Sequence, residues 1–347
     1  MTTVNTSSTE ENRMRGLVVA ATVIVLAMLL APPVAAQSGA GSSGLGSSGP
    51  PPAIPGPTVL LGRNELTPSR SALWIHSGAM QRDIAVQVLH PAGAGARPSF
   101  YLLDGLDPGV DQSTWTNATD AERFFAGRNV NVVLPIGGLA GYYTDWNFPD
   151  PVLGTYKWET FLTRELPPII DREFAGNGVN AIGGLSMGGH AAFTLATRNP
   201  WLYRAVAGYS ACPDNGFAQL PMMASIAFRR ANPANMWGLP GDPTWSAHDP
   251  ALNVGALRGK AIYLWTGNGM PGPHEFELKP QLPEAIFLGG PIEAYVLPCV
   301  AAFAARLGAA RIPARVAYRP TGTHSWPYWQ DALHDSWATI GPAIGAR

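Results

Sequence analysis

A chain of 347 residues that is 46% hydrophobic can enclose a large core, and its balance of 23 basic against 24 acidic side chains offers no electrostatic hold on nucleic acid or an anionic membrane surface. Only 14% of its residues are charged, against about 25% in an average soluble chain, while Trp, Pro and Gly number 11, 33 and 39. A weakly charged, aromatic-rich surface suits lipid or sugar ligands, although Gly- and Pro-rich loops dilute charge in the same way.

Arg13 and Arg15 precede an uninterrupted apolar stretch, residues 16–30, and Val34-Ala35-Ala36 follows with small side chains. This is the layout of a signal peptide, residues 1–36, with Gln37 as the mature start; the alternative is an uncleaved anchor. Residues 37–57 are Gly/Ser-rich and then Pro-rich, with nothing to bury, and read as a flexible linker. One catalytic domain, 58–347, is expected to follow, outside the cytoplasmic membrane. Within it, residues 84–89 alternate like a strand, and 99–103 and 131–135 are short apolar strand candidates. Residues 157–171 read as a helix kinked at Pro167-Pro168. A strand at 181–185 leads into a helix at 187–198. Strands at 205–210 and 261–265, a helix at 292–307, a strand at 315–318 and an amphipathic helix at 327–344 complete the pattern. Strands alternating with helices at this spacing predict an α/β fold with a doubly wound, mostly parallel sheet.

Gly184-Leu185-Ser186-Met187-Gly188 is a G-x-S-x-G pentapeptide. Its value lies in its setting between a strand and a helix, where a nucleophile elbow belongs. A serine hydroxyl needs a base. Of the histidines after Ser186, His190 lies one turn along the elbow helix and is expected to face away. His334 falls inside the last helix. His324 lies in the loop between the last strand and the last helix, where the base is expected. The acid should lie between serine and histidine in the chain, and Glu293 and Asp249 rank together. Glu293 opens a helix, where an anion is favoured; Asp249 sits in a His-Asp-Pro turn. The oxyanion needs two backbone N–H groups, and Met187 and Leu106 supply them by position, Leu106 lying just after the strand that ends at Leu103. Cys212 and Cys299, an even count in an exported protein, permit one disulfide. The sequence contains no metal-ligand spacing, P-loop or dinucleotide fingerprint, so no cofactor or metal is expected.

Residues 101–106 (YLLDGL), 135–138 (PIGG), 142–146 (YYTDW), 157–167 (KWETFLTRELP), 184–189 (GLSMGG), 235–243 (NMWGLPGDP), 266–269 (TGNG) and 322–329 (GTHSWPYW) occur in this order. Together they resemble the mycolyltransferase family of mycobacteria and corynebacteria, across nearly all of residues 58–344. The resemblance implies an α/β-hydrolase fold without a separate cap. It implies an activity that moves a mycolyl group between trehalose glycolipids and a cell-wall polysaccharide acceptor, in the cell envelope. It matches Ser186, His324 and Glu293 to the family's triad, which selects Glu293 over Asp249. It matches Leu106 and Met187 to the oxyanion hole, and Asp104 and Trp326 to the sugar site. Three positions depart from the mycobacterial pattern. Asp107 replaces an arginine. Ala118 replaces a sugar-binding asparagine, with Asn117 adjacent. Thr266 replaces a free cysteine. These departures resemble the corynebacterial branch. The implied protein is a monomer in peripheral contact with lipid. A secreted carboxylesterase and a wall-associated binding protein without catalysis are the other readings.

Overall fold

Runs of β-branched and aromatic residues assemble into one nine-stranded sheet in the computed structural model, which describes residues 56–346 apart from Ala94. The expected signal segment and the linker up to residue 55 lie outside the described residues. Strands β1 (Val59–Thr67), β2 (Arg70–Ser77) and β3 (Arg82–Leu89) form an antiparallel meander. The meander joins β5 (Asn131–Pro135) antiparallel. From β5 onward the pairing is parallel, through β4 (Arg97–Leu103), β6 (Gly176–Leu185), β7 (Tyr203–Tyr209), β8 (Ala261–Thr266) and β9 (Arg315–Tyr318). The sheet is therefore mostly parallel, as expected, and its strand order is β1-β2-β3-β5-β4-β6-β7-β8-β9.

Helices cover both faces, so the central strands are apolar on both sides rather than alternating in polarity. Successive residues of β4 show this. Phe100 and Leu102 enter one core with α1 (Thr114–Ala118), α2 (Ala121–Phe125) and α7 (Trp326–Ala343). Tyr101 and Leu103 enter the other, with α3 (Leu166–Glu173), α4 (Ser186–Arg198), α5 (Asn215–Phe228) and α6 (Gly290–Ala309). Pro167 and Pro168 stand second and third in α3, directly after a π-turn at Phe161–Glu165. That wider turn tolerates the N–H groups that Pro167 and Pro168 lack.

The crossovers leave β4 in opposite directions: β5 lies on one side of it and β6 on the other. The carboxyl ends of β4 and β6 therefore border a crevice at the topological switch point, where ligands of open α/β sheets bind. The segment after β4 (Asp104–Leu106) and the start of α4 after β6 meet there.

Candidate active site

The elbow between β6 and α4 is tight enough to exclude side chains. A Cβ on Gly184 would lie 2.5 Å from the Gly188 carbonyl carbon, and one on Gly188 would lie 2.3 Å from the Asp104 carbonyl oxygen. Ser186 itself sits in the left-handed region, φ 50°, a conformation that non-glycine residues adopt rarely and at functional sites. The N-cap, Leu185, offers no side-chain acceptor to the first turn of α4. Among the described residues nothing accepts the backbone N–H of Met187 or of Leu106, and both residues line one cavity with Ser186. Leu106 is held from the other side, its carbonyl accepting the Ala140 N–H at 3.0 Å.

His324 reaches the same cavity from the loop between β9 and α7. Its Nδ1 lies 2.8 Å from Glu293 Oε2. Glu293 is fully buried, 0% exposed, and its other oxygen accepts three bonds: from the Ser210 hydroxyl (2.9 Å), the Thr266 hydroxyl (2.9 Å) and the Gly267 N–H (2.8 Å). Those donors stand at the carboxyl ends of β7 and β8. A buried carboxylate is stable only when satisfied in this way. Because Nδ1–H donates to Glu293, Nε2 is left bare as the acceptor in the neutral ring. Trp329 braces the arrangement, its Nε1–H donating to Ser210 Oγ at 2.9 Å and its ring standing edge-on to His324 at 4.9 Å. Ser186 Oγ and His324 share the cavity without a hydrogen bond between them, and catalytic contacts of this kind commonly close only around substrate.

Two sequence expectations, for Glu293 and His190, change here. Glu293 is not at a free helix start, because helical turns from Lys279 run into α6 through a π-turn at Ala285–Gly289. The donors at the strand ends, not a helix dipole, hold its charge. Asp249 is buried in its own turn, bonded to the Ala251 N–H at 2.8 Å, and does not meet His324. His190 does not face away: four residues on from Ser186 along one helix face, it lines the same cavity. Burial lowers its pKa to about 4, and its Nδ1 lies 2.6 Å from the Cys212 carbonyl oxygen. That ring is neutral and already engaged.

The remaining expected residues scatter. Trp326 lines the cavity. Asp104 does not: it is 1% exposed, and its Oδ2 accepts from Ser113 Oγ (3.1 Å) and the Thr114 N–H (3.2 Å). Burial pushes its carboxyl up to about 7 against those two bonds. Asn117 is exposed and borders a separate polar depression with Asp120 and Gln330. Asp107, where the mycobacterial pattern has an arginine, lines the cavity and pairs with Arg229 at the end of α5. Ser210, Gly267 and Trp329 were missed as site residues. Their only trace in the sequence is polar or small character just past a buried strand, and an aromatic cluster after the histidine.

The cavity measures about 470 Å³ and has two characters. Its lining is apolar along α5 and the 278–296 segment, with Met222, Leu278, Ala285, Leu288, Ile292 and Val296, and it also carries the polar side chains Asp107, Arg229, Gln281 and Glu284 and the Trp326 ring. The disulfide Cys212–Cys299, Cα atoms 5.4 Å apart, ties the end of β7 to the helix that bears Glu293. Among the described residues no cluster of His, Cys, Asp or Glu could hold a metal ion.

The family model described as "Putative esterase" matches residues 77–340. Among curated proteins, the diacylglycerol acyltransferase/mycolyltransferase Ag85A of Mycobacterium leprae is 34% identical over 286 residues, covering 79% of this chain and 83% of the relative. Ag85B of the same species is 36% identical over 274 residues, covering 76% and 80%. Among solved structures, MPT51 (FbpC1) of Mycobacterium tuberculosis superposes with a TM-score of 0.65 at 25% identity, covering 76% of this chain and 95% of that one. An S-formylglutathione hydrolase from Agrobacterium tumefaciens shares the fold, with a TM-score of 0.62 at 16% identity. The elbow, the mostly parallel sheet and these similarities together establish that the chain belongs to the esterase family of α/β-hydrolases, within the group that contains the mycolyltransferases.

Proposed function

We propose that this protein is an exported serine acyltransferase that moves a mycolyl group from a trehalose glycolipid to a sugar hydroxyl, with Ser186 as nucleophile, His324 as base and Glu293 as the orienting acid. The observation that carries the reading is the 2.8 Å Glu293–His324 contact, with His324 lining the same cavity as the strained Ser186. Ser186 Oγ attacks the acyl carbonyl carbon as its proton passes to His324 Nε2. The negative oxygen that forms is met by the N–H groups of Leu106 and Met187. Glu293 stabilises the imidazolium. When the tetrahedral centre collapses, the bond to the sugar oxygen breaks and His324 returns the proton to that oxygen. The acyl group is now an ester on Ser186. An acceptor hydroxyl repeats the cycle in reverse, giving its proton to His324, attacking the ester and releasing Ser186.

Two features support a lipid–sugar ester as substrate. The apolar part of the cavity lining suits an acyl chain, and its polar side chains with the Trp326 ring suit a sugar. Asp104 stands outside the cavity lining and holds the start of α1 through the Ser113 hydroxyl and the Thr114 N–H. A glycolipid donor and a cell-wall polysaccharide acceptor place the protein in the envelope, which the signal-like segment 1–36 also favours. The second reading, hydrolysis, differs only in the acceptor. Incubation with trehalose monomycolate decides between them. Trehalose dimycolate is expected; free mycolic acid alone would make the protein an esterase.

A further inference from the structure

Glu275 is 1% exposed although it belongs to a single short turn, Pro273–Glu277, within a long loop. Its carboxylate accepts three bonds: from the Gly272 N–H (2.5 Å), the Tyr328 hydroxyl (2.6 Å) and the Thr323 hydroxyl (2.7 Å). Burial alone would raise its pKa, but the three donors outweigh burial and hold the carboxyl below its ordinary value. The proposed acyl-transfer steps use none of these groups. A buried charge in a loop is costly unless its surroundings are built for it, and the surroundings here are the loop that carries the base.

Thr323 is 0% exposed and immediately precedes His324. Its loop is clamped at further points. The Gly269 N–H donates to the Gly322 carbonyl (2.9 Å), the Gly322 N–H to Met270 (2.8 Å), and the His324 N–H to Gly289 (3.1 Å). Glu293 therefore orients the imidazole, whereas Glu275 grips the residue before it. The chain that leaves Glu275 goes on to form the cavity wall at Leu278, Gln281 and Ala285. Glu275 stands where that wall meets the base loop.

We infer that Glu275 is a positioning residue: through Thr323 it seats the His324 loop against the cavity wall and so sets the imidazole's approach to Ser186. The inference rests on the reading of Ser186 and His324 as nucleophile and base. Small displacements of a catalytic group cost large factors, about 10²-fold for 1 Å. The Thr323 bond is thus worth more to the rate than to stability.

The test uses Glu275→Gln, Thr323→Val, Thr323→Ser and Tyr328→Phe in the full-length protein. Two rates are read: covalent labelling of Ser186 by a fluorophosphonate, located by mass spectrometry, and kcat with KM on a short-chain nitrophenyl ester. Glu275→Gln places an amide among three donors and tests the Glu275 link itself, whereas Thr323→Val deletes that link together with the 3.1 Å contact to Ser325 Oγ, with little change of shape. Both are expected to lower labelling and kcat roughly 10- to 100-fold with KM within about threefold. Thr323→Ser, which restores the hydroxyl, is expected to recover most of the loss. Tyr328→Phe removes a bond to the same carboxylate without touching Thr323, and is expected to lower Tm while keeping kcat within about threefold. Wild-type rates in folded Thr323→Val and Glu275→Gln would overturn the inference alone. Thr323→Val keeps the test open should Glu275→Gln not fold. A wild-type protein that is not labelled at Ser186 would overturn the nucleophile assignment and this inference together.

Discussion

Ser186 carries its reactivity in its backbone as much as in its hydroxyl. A φ of 50° at Ser186 opens the first turn of α4, where the early N–H groups, Met187's among them, have no intrahelical partner. Alanine tolerates that conformation about as well as serine does, so Ser186→Ala is expected to fold with an unchanged circular dichroism spectrum and to lose on the order of 10⁶ in turnover. Residual activity within tenfold of wild type would take Ser186 out of the mechanism. Glu293 makes a sharper case, because all four of its contacts come from donors: Ser210, Thr266, Gly267 and the His324 ring. In Glu293→Gln one of them must face an NH₂ group. The ring then loses the partner that fixes its tautomer. A loss of about 10⁴ in kcat is expected, with a stability cost of about 1–3 kcal/mol for the mismatched buried donor. Denaturant melts alongside kinetics would separate the two effects.

At the scale of elements, the site is a convergence of strand ends. Leu106 follows β4, Ser186 follows β6, Ser210 follows β7, Thr266 and Gly267 end β8, and His324 follows β9. Glu293 comes instead from within α6, and the Cys212–Cys299 bridge fastens that helix to the end of β7. The bridge closes a span of 87 residues, for which the chain-entropy model gives about 4–5 kcal/mol. Tyr295 adds a second tie, its hydroxyl donating to the Phe217 carbonyl at 2.7 Å. Two fastenings on one helix suggest that its placement matters for catalysis as well as for stability. Reduction, or the Cys212→Ser/Cys299→Ser double variant, is therefore expected to lower kcat at temperatures well below the onset of unfolding. Full activity in the reduced, folded protein would leave the bridge a stabilising role only.

Over the whole molecule, four buried groups give stability a pH dependence of opposing signs. Burial pushes the Asp104 carboxyl up to about 7, and burial together with the nearby Asp214 pushes Asp249 up to about 6. A raised folded pKa favours the native state in acid, so their contribution is complete below the unfolded value near 3.8 and is lost as pH rises toward 6 and 7. Burial lowers His190 to about 4, and burial with the adjacent Arg198 lowers His248 to about 3. A lowered folded pKa acts the other way: the contribution is present above 6.5 and is lost as pH falls toward 4 and 3. Between about pH 4 and 6.5 the two sets offset one another. Asp104→Asn removes the larger acidic term. Its Tm is expected to fall more steeply than that of wild type as pH drops from 6.5 to 4, and to match or exceed wild type at pH 8. Parallel Tm profiles would show that Asp104 titrates alike in the folded and unfolded chains.

Much of this was legible from residues alone. G-x-S-x-G after an apolar run marks the elbow, because only glycine fits where Gly184 and Gly188 meet backbone. The strands at 99–103, 131–135 and 315–318 declared themselves by composition, and His324 by its place between the last strand and the last helix. The first two strands did not: β1 reads VLLGRNELT with little burial on either face, so it carries no clear period. The choice between Glu293 and Asp249 also lay beyond local reasoning. Both are acids of the right order in the chain, and what separates them is which one meets donors from the ends of β7 and β8. Asp104 shows the same limit, since a residue just past a strand can turn to the cavity or to the loop behind it, and the Ser113 and Thr114 donors drew it behind. Chemical identity is local and can be read along the chain, whereas the satisfaction of a buried charge depends on partners scores of residues away, which only the folded sheet brings within 3 Å.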